Sequence, residues 1–256
     1  MIGLLKAELR KLLKRRVYWV MIGILALVVG LVAFVFFVLP GFIPEGEIPQ
    51  VRKPEAYLLG AQQVMGQNWF PTIMAVMMLG GELATTAWAA ALTRNSRRWQ
   101  HLLSRLVVVS GASWLAMASA VAGISVVVAL FAEGSGSPSS SEWWGILWKL
   151  GVAQVTTVGL AFAAAAWLRS VGPAIGATIA FGFVDGIASL WRPWRQISLS
   201  THTSALLGPV DIADVQVGFF AGFSEPVSFT KALVVVLMWT VVAIAGAAAG
   251  LQLRDP

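Results

Sequence analysis

Residues 17–39, "VYWVMIGILALVVGLVAFVFFVL", run from Val17 to Leu39 without a charged side chain. A helix rises about 1.5 Å per residue, so about 20 apolar residues cross the roughly 30 Å hydrocarbon core of a bilayer. This run is long enough. Tyr18 and Trp19 stand at one end, where amphipathic rings anchor a span at the headgroup level. At the other end "LPGFIPEGEIP" supplies prolines and glycines that cannot continue a helix. The basic opening "MIGLLKAELRKLLKRR" has the charge of a secretory leader. The apolar run exceeds the roughly 7–15 residues of a leader, however, and no small-residue cleavage site follows, so it reads as an uncleaved first span.

The rest of the chain fits that reading. Hydrophobic residues make up 58% of the 256 positions and charged residues 12%, against about half and a quarter in soluble domains. Spans are expected at 17–39, 61–81, 105–131, 143–168, 173–190 and 230–251. The expected fold is an all-α membrane protein, with six transmembrane helices in one domain over 1–256. Residues 1–16 gather Ile2, Leu5, Leu9, Leu12 and Leu13 on one face and Lys6, Arg10, Lys11, Lys14 and Arg15 on the other, the pattern of an interfacial helix. The same cations could equally act as a simple topology signal.

The formal charge of +6 is topological, with no call for nucleic acid. Twelve of the 18 cations fall on one side of the six spans: Lys6, Arg10, Lys11, Lys14, Arg15, Arg16, Arg94, Arg97, Arg98, Arg105, Arg169 and Arg254. By the positive-inside rule that side is cytoplasmic and holds both termini. With no cysteine, and only His101 and His202, thiol chemistry is excluded and histidine metal chemistry nearly so. No catalytic, cofactor-binding or metal site is expected in this chain. It lacks G-x-x-x-x-G-K-[ST], H-E-x-x-H and G-x-S-x-G, so any ATP is bound by another polypeptide.

Four side chains in the second span, Gln62, Gln63, Gln67 and Asn68, need partners or water in lipid. Either the helix starts outside the bilayer or this face lines a polar path, with Pro71 as the expected kink. Asp185 lies roughly 18 Å along the fifth span at about 1.5 Å per residue. An intramembrane acid marks a translocation or proton path, unless it reaches the outer interface to pair with Arg192 or Arg195 or stays protonated. His202 is expected at the surface. Small residues in "GLAFAAAAW", "GPAIGATIAFG" and "AIAGAAAG" suit close helix packing, within the bundle or between subunits.

Between the second and third spans lies "GELATTAWAAALTRNSRRWQHLLSRL", Gly81 to Leu106. On a helical wheel Trp88, Leu92, Trp99, Leu102, Leu103 and Leu106 share one face, opposite Arg94, Arg97, Arg98, His101 and Arg105. The arginines could simply anchor two spans. A turn between helices needs only about 2–8 residues, however, so a longer helical loop suggests a docking surface.

The pattern resembles the permease subunit of type-2 ATP-binding-cassette transporters. "LLKAELRKLLKRRVYW" resembles that family's amphipathic lead-in. Glu82, "TTAWAAALTRN", "SRR" and Arg105 resemble its acidic residue, coupling helix, Ser-Arg pair and later basic residue. Thr85-Thr86 stands where the family commonly has Gly-Thr. The resemblance implies a cytoplasmic coupling helix over about Leu83 to Arg94, with Glu82, Leu83, Thr85, Thr86, Trp88, Leu92, Arg94, Arg97 and Arg98 serving the contact with the ATPase. It further implies short re-entrant helices between the last two spans. The implied partners are two cytoplasmic ATPase subunits carrying ATP and Mg, and a second permease copy or paralogue. The implied setting is a prokaryotic cytoplasmic membrane. Together these point to export of a hydrophobic or amphipathic peptide, drug or lipid-like molecule. The rivals are a proton-coupled secondary transporter using Asp185 and a membrane scaffold without a transport cycle.

Overall fold

The computed structural model describes residues 2–39, 53–85, 98–132, 136–207, 211–212, 215–216 and 227–253. Helix α1 (Ile2–Lys14) leads into α2 (Arg16–Ala33), which a π-helical turn extends to Val38. Then come α3 (Lys53–Met65), α4 (Trp69–Leu83), α5 (Arg98–Phe131), α6 (Ser140–Leu168) and α7 (Val171–Ala188). Short helices α8 (Arg192–Arg195) and α9 (Leu199–Leu207) precede a two-stranded ribbon, which pairs Asp211 with Gln216 and Ile212 with Val215. Helix α10 (Phe229–Leu253) closes the described chain.

Among the described residues, five helices are long and apolar enough to cross a membrane: Arg16–Val38, Trp99–Phe131, Ser140–Leu168, Val171–Ala188 and Phe229–Leu253. Large apolar side chains such as Leu27, Leu130, Phe183 and Val241 point out of the bundle, the surface expected of a multi-pass membrane protein.

The expected span at 61–81 takes another form. Its helix breaks at Gly66 to Asn68, leaving α4 only 15 residues long, about 22 Å against the roughly 30 Å of a bilayer core. Helix α3 begins beside the end of α5, where Lys53 Nζ donates to Ala129 O at 2.9 Å. Helix α4 ends beside the start of α5, where Glu82 meets Arg105. The two half-helices together traverse the length that α5 covers alone. Pro71 is not the breaking point. It lies in the first turn of α4, where a missing N–H costs no hydrogen bond. The break falls at Gly66, whose own N–H still bonds Gln62 O.

Helices α6 and α10 run parallel and close. Thr156 and Thr240 share a 2.6 Å hydroxyl hydrogen bond. One turn on, a methyl at Gly159 would stand 3.2 Å from Ala243 Cβ, and about three turns on one at Gly250 would stand 3.0 Å from Ala166 Cβ. The small residues of the sixth and fourth expected spans thus pack within the bundle. Those of the fifth divide: Ala174 on α7 is buried in the core, while Gly172, Gly176 and Gly182 face open space. Between α6 and α7 the tight "RSVGP" connection turns at Arg169, a non-glycine residue held at φ 48°. Helix α10 ends beside Ala166 and Trp167, so its C-terminal end lies with α1 and Glu82 at one end of the bundle.

Candidate functional site

The most concentrated charge in the described chain surrounds Arg105. Helix α5 begins at Arg98, earlier than the expected span, so Arg105 lies two turns inside it with no exposed side-chain surface. Its guanidinium bonds Glu82 Oε2 on the last turn of α4, and its Nε lies 3.4 Å from Glu8 Oε2 on α1. Lys11 Nζ reaches Glu8 Oε1 at 3.1 Å and Glu82 Oε1 at 3.5 Å. Arg15 adds Nη2 at 3.5 Å from Glu82 Oε1, while its Nη1 donates to Met77 O at 2.6 Å.

The physical logic starts at Glu82. A carboxylate in the last turn of a helix sits against the negative end of the helix dipole, and this one is buried besides. Three cations offset that negative charge: Lys11 of α1, Arg105 of α5, and Arg15 in the link between α1 and α2. Burial of such a group is tolerable only when it is paired and hydrogen-bonded. The result is a weld: α1, the end of α4 and the start of α5 are held by a single charge cluster.

That cluster revises one sequence reading. The arginine face of the Gly81–Leu106 wheel does not continue along α5, where Arg105 and His101 are buried and Trp99 is exposed. A wheel covers one segment only, whereas Arg105 finds its acids on distant segments. Helix α1 presents two sides. Leu12 and Glu8 pack inward, while Ile2, Leu9 and Leu13 stay open beside exposed Lys6, Arg10 and Lys14. The signals for the weld were present as isolated charges: a lone acid in a basic helix, a lone acid ending an apolar one, and a cation inside a third.

Glu82 and Leu83 therefore belong to α4, with Glu82 buried and Leu83 half-buried, and not to a separate helix that begins at Leu83. Thr85 is exposed just past the helix, its hydroxyl donating to Glu82 O at 3.2 Å. Thr86, Trp88, Leu92, Arg94 and Arg97 lie outside the described residues, as does the side chain of Arg98.

The four amides cluster at the break. Gln62 and Gln63 sit near the end of α3 and are half-buried, and Asn68 is exposed at the start of α4. Gln67 Nε2 donates to Gln63 O at 3.3 Å, and Trp69 Nε1 donates to Gln67 Oε1 at 2.6 Å. Gly60 packs on Ile124 and Glu82 on Arg105, a register that sets the break opposite the middle of α5. The amides lie at mid-depth of the bundle.

Asp185 occupies the opposite end. It is buried, and it accepts from Trp194 Nε1 at 2.8 Å, from Ser198 Oγ at 3.1 Å and from the backbone N–H of Ser200 at 2.7 Å. Neutral donors thus provide its hydrogen bonds, where pairing with Arg192 or Arg195 was one of the alternatives left open by the sequence. Arg195 turns its Nε to Ser189 O at 2.9 Å. Asp185 acts as a cap for α9, tying it to α7. Trp239 Nε1 fastens the same segment to α10 through Ile197 O at 2.7 Å.

His202 is not at the surface. It is fully buried in α9, with Nδ1 at 2.7 Å from Ser198 O. Burial pushes its pKa below the ordinary histidine range; Lys231 adds to that shift, while the Ser198 carbonyl and Asp185 oppose it. Among the described residues no three His, Asp or Glu side chains gather as metal ligands would. No protein-family model matches the chain, and no curated protein matches it.

Proposed function

We propose that the chain is the permease subunit of an ATP-binding-cassette exporter. Two half-helices, α3 and α4, would serve as the broken second of six spans. Both termini would face the cytoplasm, with α1 at the membrane interface and α8–α9 capping the outer mouth. The substrate class is hydrophobic or amphipathic, and ATP with Mg belongs to partner ATPase subunits.

One observation carries the reading, the charge cluster at Arg105. The loop over residues 86–97 starts four residues after Glu82 and enters α5 seven residues before Arg105. A push on that loop acts on α1, α4 and α5 together. Rigid-body motion of a cytoplasmic partner then reaches three helices as one unit, as relay between subunits requires. Trp88 and Leu92 supply an apolar face for the contact. Trp88→Glu and Leu92→Glu should detach the ATPase while the chain still inserts. Full co-purification of the ATPase with both variants would refute that assignment of the loop.

The proton-coupled rival is less well supported, because Asp185 already has a structural duty as the cap of α9.

A further inference from the structure

Midway along the bundle, three buried polar side chains have no protein partner. Gln154 on α6 is 0% exposed, with Oε1 and Nε2 both unpaired, and Ser110 and Ser113 on α5 carry unpaired hydroxyls. Other hydroxyls in these helices behave differently. Ser119 and Ser125 donate to Leu115 O and Val121 O one turn back, and Thr156 and Thr157 do the same to Val152 O and Ala153 O.

The three residues share one level. Trp114 Nε1 on α5 donates to Leu147 O on α6 at 2.8 Å, and its ring would lie 3.4 Å from a methyl at Gly151. Further along the same pair of helices, Leu106 and Gly159 line one crevice. Ser110 falls between Trp114 and Leu106, and Gln154 between Gly151 and Gly159. Gln154 also shares a stripe with Ala165, which meets Gly80 of α4 three turns (about eleven residues) further on. Helices α4 and α6 run parallel, since Tyr57 of α3 meets Trp143 edge to face as Gly80 meets Ala165. The same distance back from Gly80 is Trp69, the first residue of α4. Gln154 therefore stands level with the break between α3 and α4.

We propose that Gln154, Ser110 and Ser113 form a binding site for a small uncharged hydrogen-bonding group beside that break, whether or not the chain is a permease. Native proteins fill sites of this kind with water or a ligand, because an unpaired buried amide is costly. The site is neutral: residues 64–72, 108–116 and 150–157 contain no ionisable side chain. An amide with a donor and an acceptor, beside two hydroxyls, suits water as the smallest occupant, or the amide or hydroxyl of a larger molecule.

Gln154→Met and Ser113→Ala, singly and together, test it in the full chain by thermal unfolding. Each single change should lower Tm, and the pair should lower it no further than the larger single, because both residues hold one occupant. Singles that raise Tm, or effects that simply add, would overturn the site. A second measurement does not depend on those variants folding well. The chain has no cysteine, so Ser113→Cys can be compared with Val158→Cys, a fully buried apolar position on α6. Methyl methanethiosulfonate should modify the first at least about tenfold faster, by analogy with a solvated against a dry site; equal rates contradict the proposal. Acetyl-trileucine amide separates the occupants: a Tm rise lost in Gln154→Met assigns a peptide-type amide, and no rise with coupling intact assigns water.

Discussion

Arg105 of α5 and Glu82 of α4 form a buried ion pair across the two ends of the segment over residues 86–97, and Glu8 of α1 closes on the same guanidinium. Removing one partner of such a pair strands the other in a low-dielectric site. Arg105→Met should destabilise the chain by about 3–5 kcal/mol. Urea unfolding in detergent would measure it, and a loss below about 1 kcal/mol would reduce the pair to the worth of a surface contact.

The α6–α10 seam is predicted to reject a single methyl. Gly250→Ala would put Cβ 3.0 Å from Ala166 Cβ and 3.1 Å from Trp167 Cδ1, a crowding worth about 1–3 kcal/mol. Gly176→Ala on α7 meets nothing within 4 Å. It should be neutral or slightly stabilising, since alanine is the better helix former by about 1 kcal/mol. Thermal midpoints of the two variants, compared side by side, check the contrast.

Capping by Asp185 predicts a local effect. Asp185→Asn keeps one acceptor oxygen but cannot serve Trp194, Ser198 and the Ser200 N–H alike. It should loosen α8–α9 by about 1–2 kcal/mol, the value of a lost helix cap, while α7 and α10 stay inserted. Limited proteolysis over residues 190–207 should become faster, and unchanged cleavage there would count against the clasp.

His202 gives the same region a pH dependence. Its folded pKa lies below its ordinary 6.5, so the unfolded segment binds the proton more readily. Stability of the clasp is complete above pH 6.5 and declines as pH falls from there towards the lower folded value. Proteolysis of α9 should therefore rise between neutral and mildly acidic pH, and His202→Phe should flatten that rise. A wild-type profile flat across the range would contradict it.

The apolar runs fixed the long helices because length and composition alone decide them. The break near Asn68 was half legible. Its amides were conspicuous, but Pro71 drew attention as the kink, although a proline in a first turn disturbs nothing. The settings of Arg105 and Asp185 were not legible, for one shared reason. Their partners lie on other segments, Glu8 and Glu82 for Arg105, Ser198 and Ser200 for Asp185. A helical wheel sees one segment at a time. Gln154 was overlooked because a single amide in an apolar run carries no periodic signal.

The permease reading stands or falls on its partner. The measurement is purification of the chain from native membranes in mild detergent, followed by photolabelling of the eluate with azido-ATP. The account predicts a co-purifying, ATP-labelled cytoplasmic subunit in equal amount to the chain, which is lost when Trp88→Glu is the bait. Recovery of the intact chain with no ATP-labelled partner would contradict it.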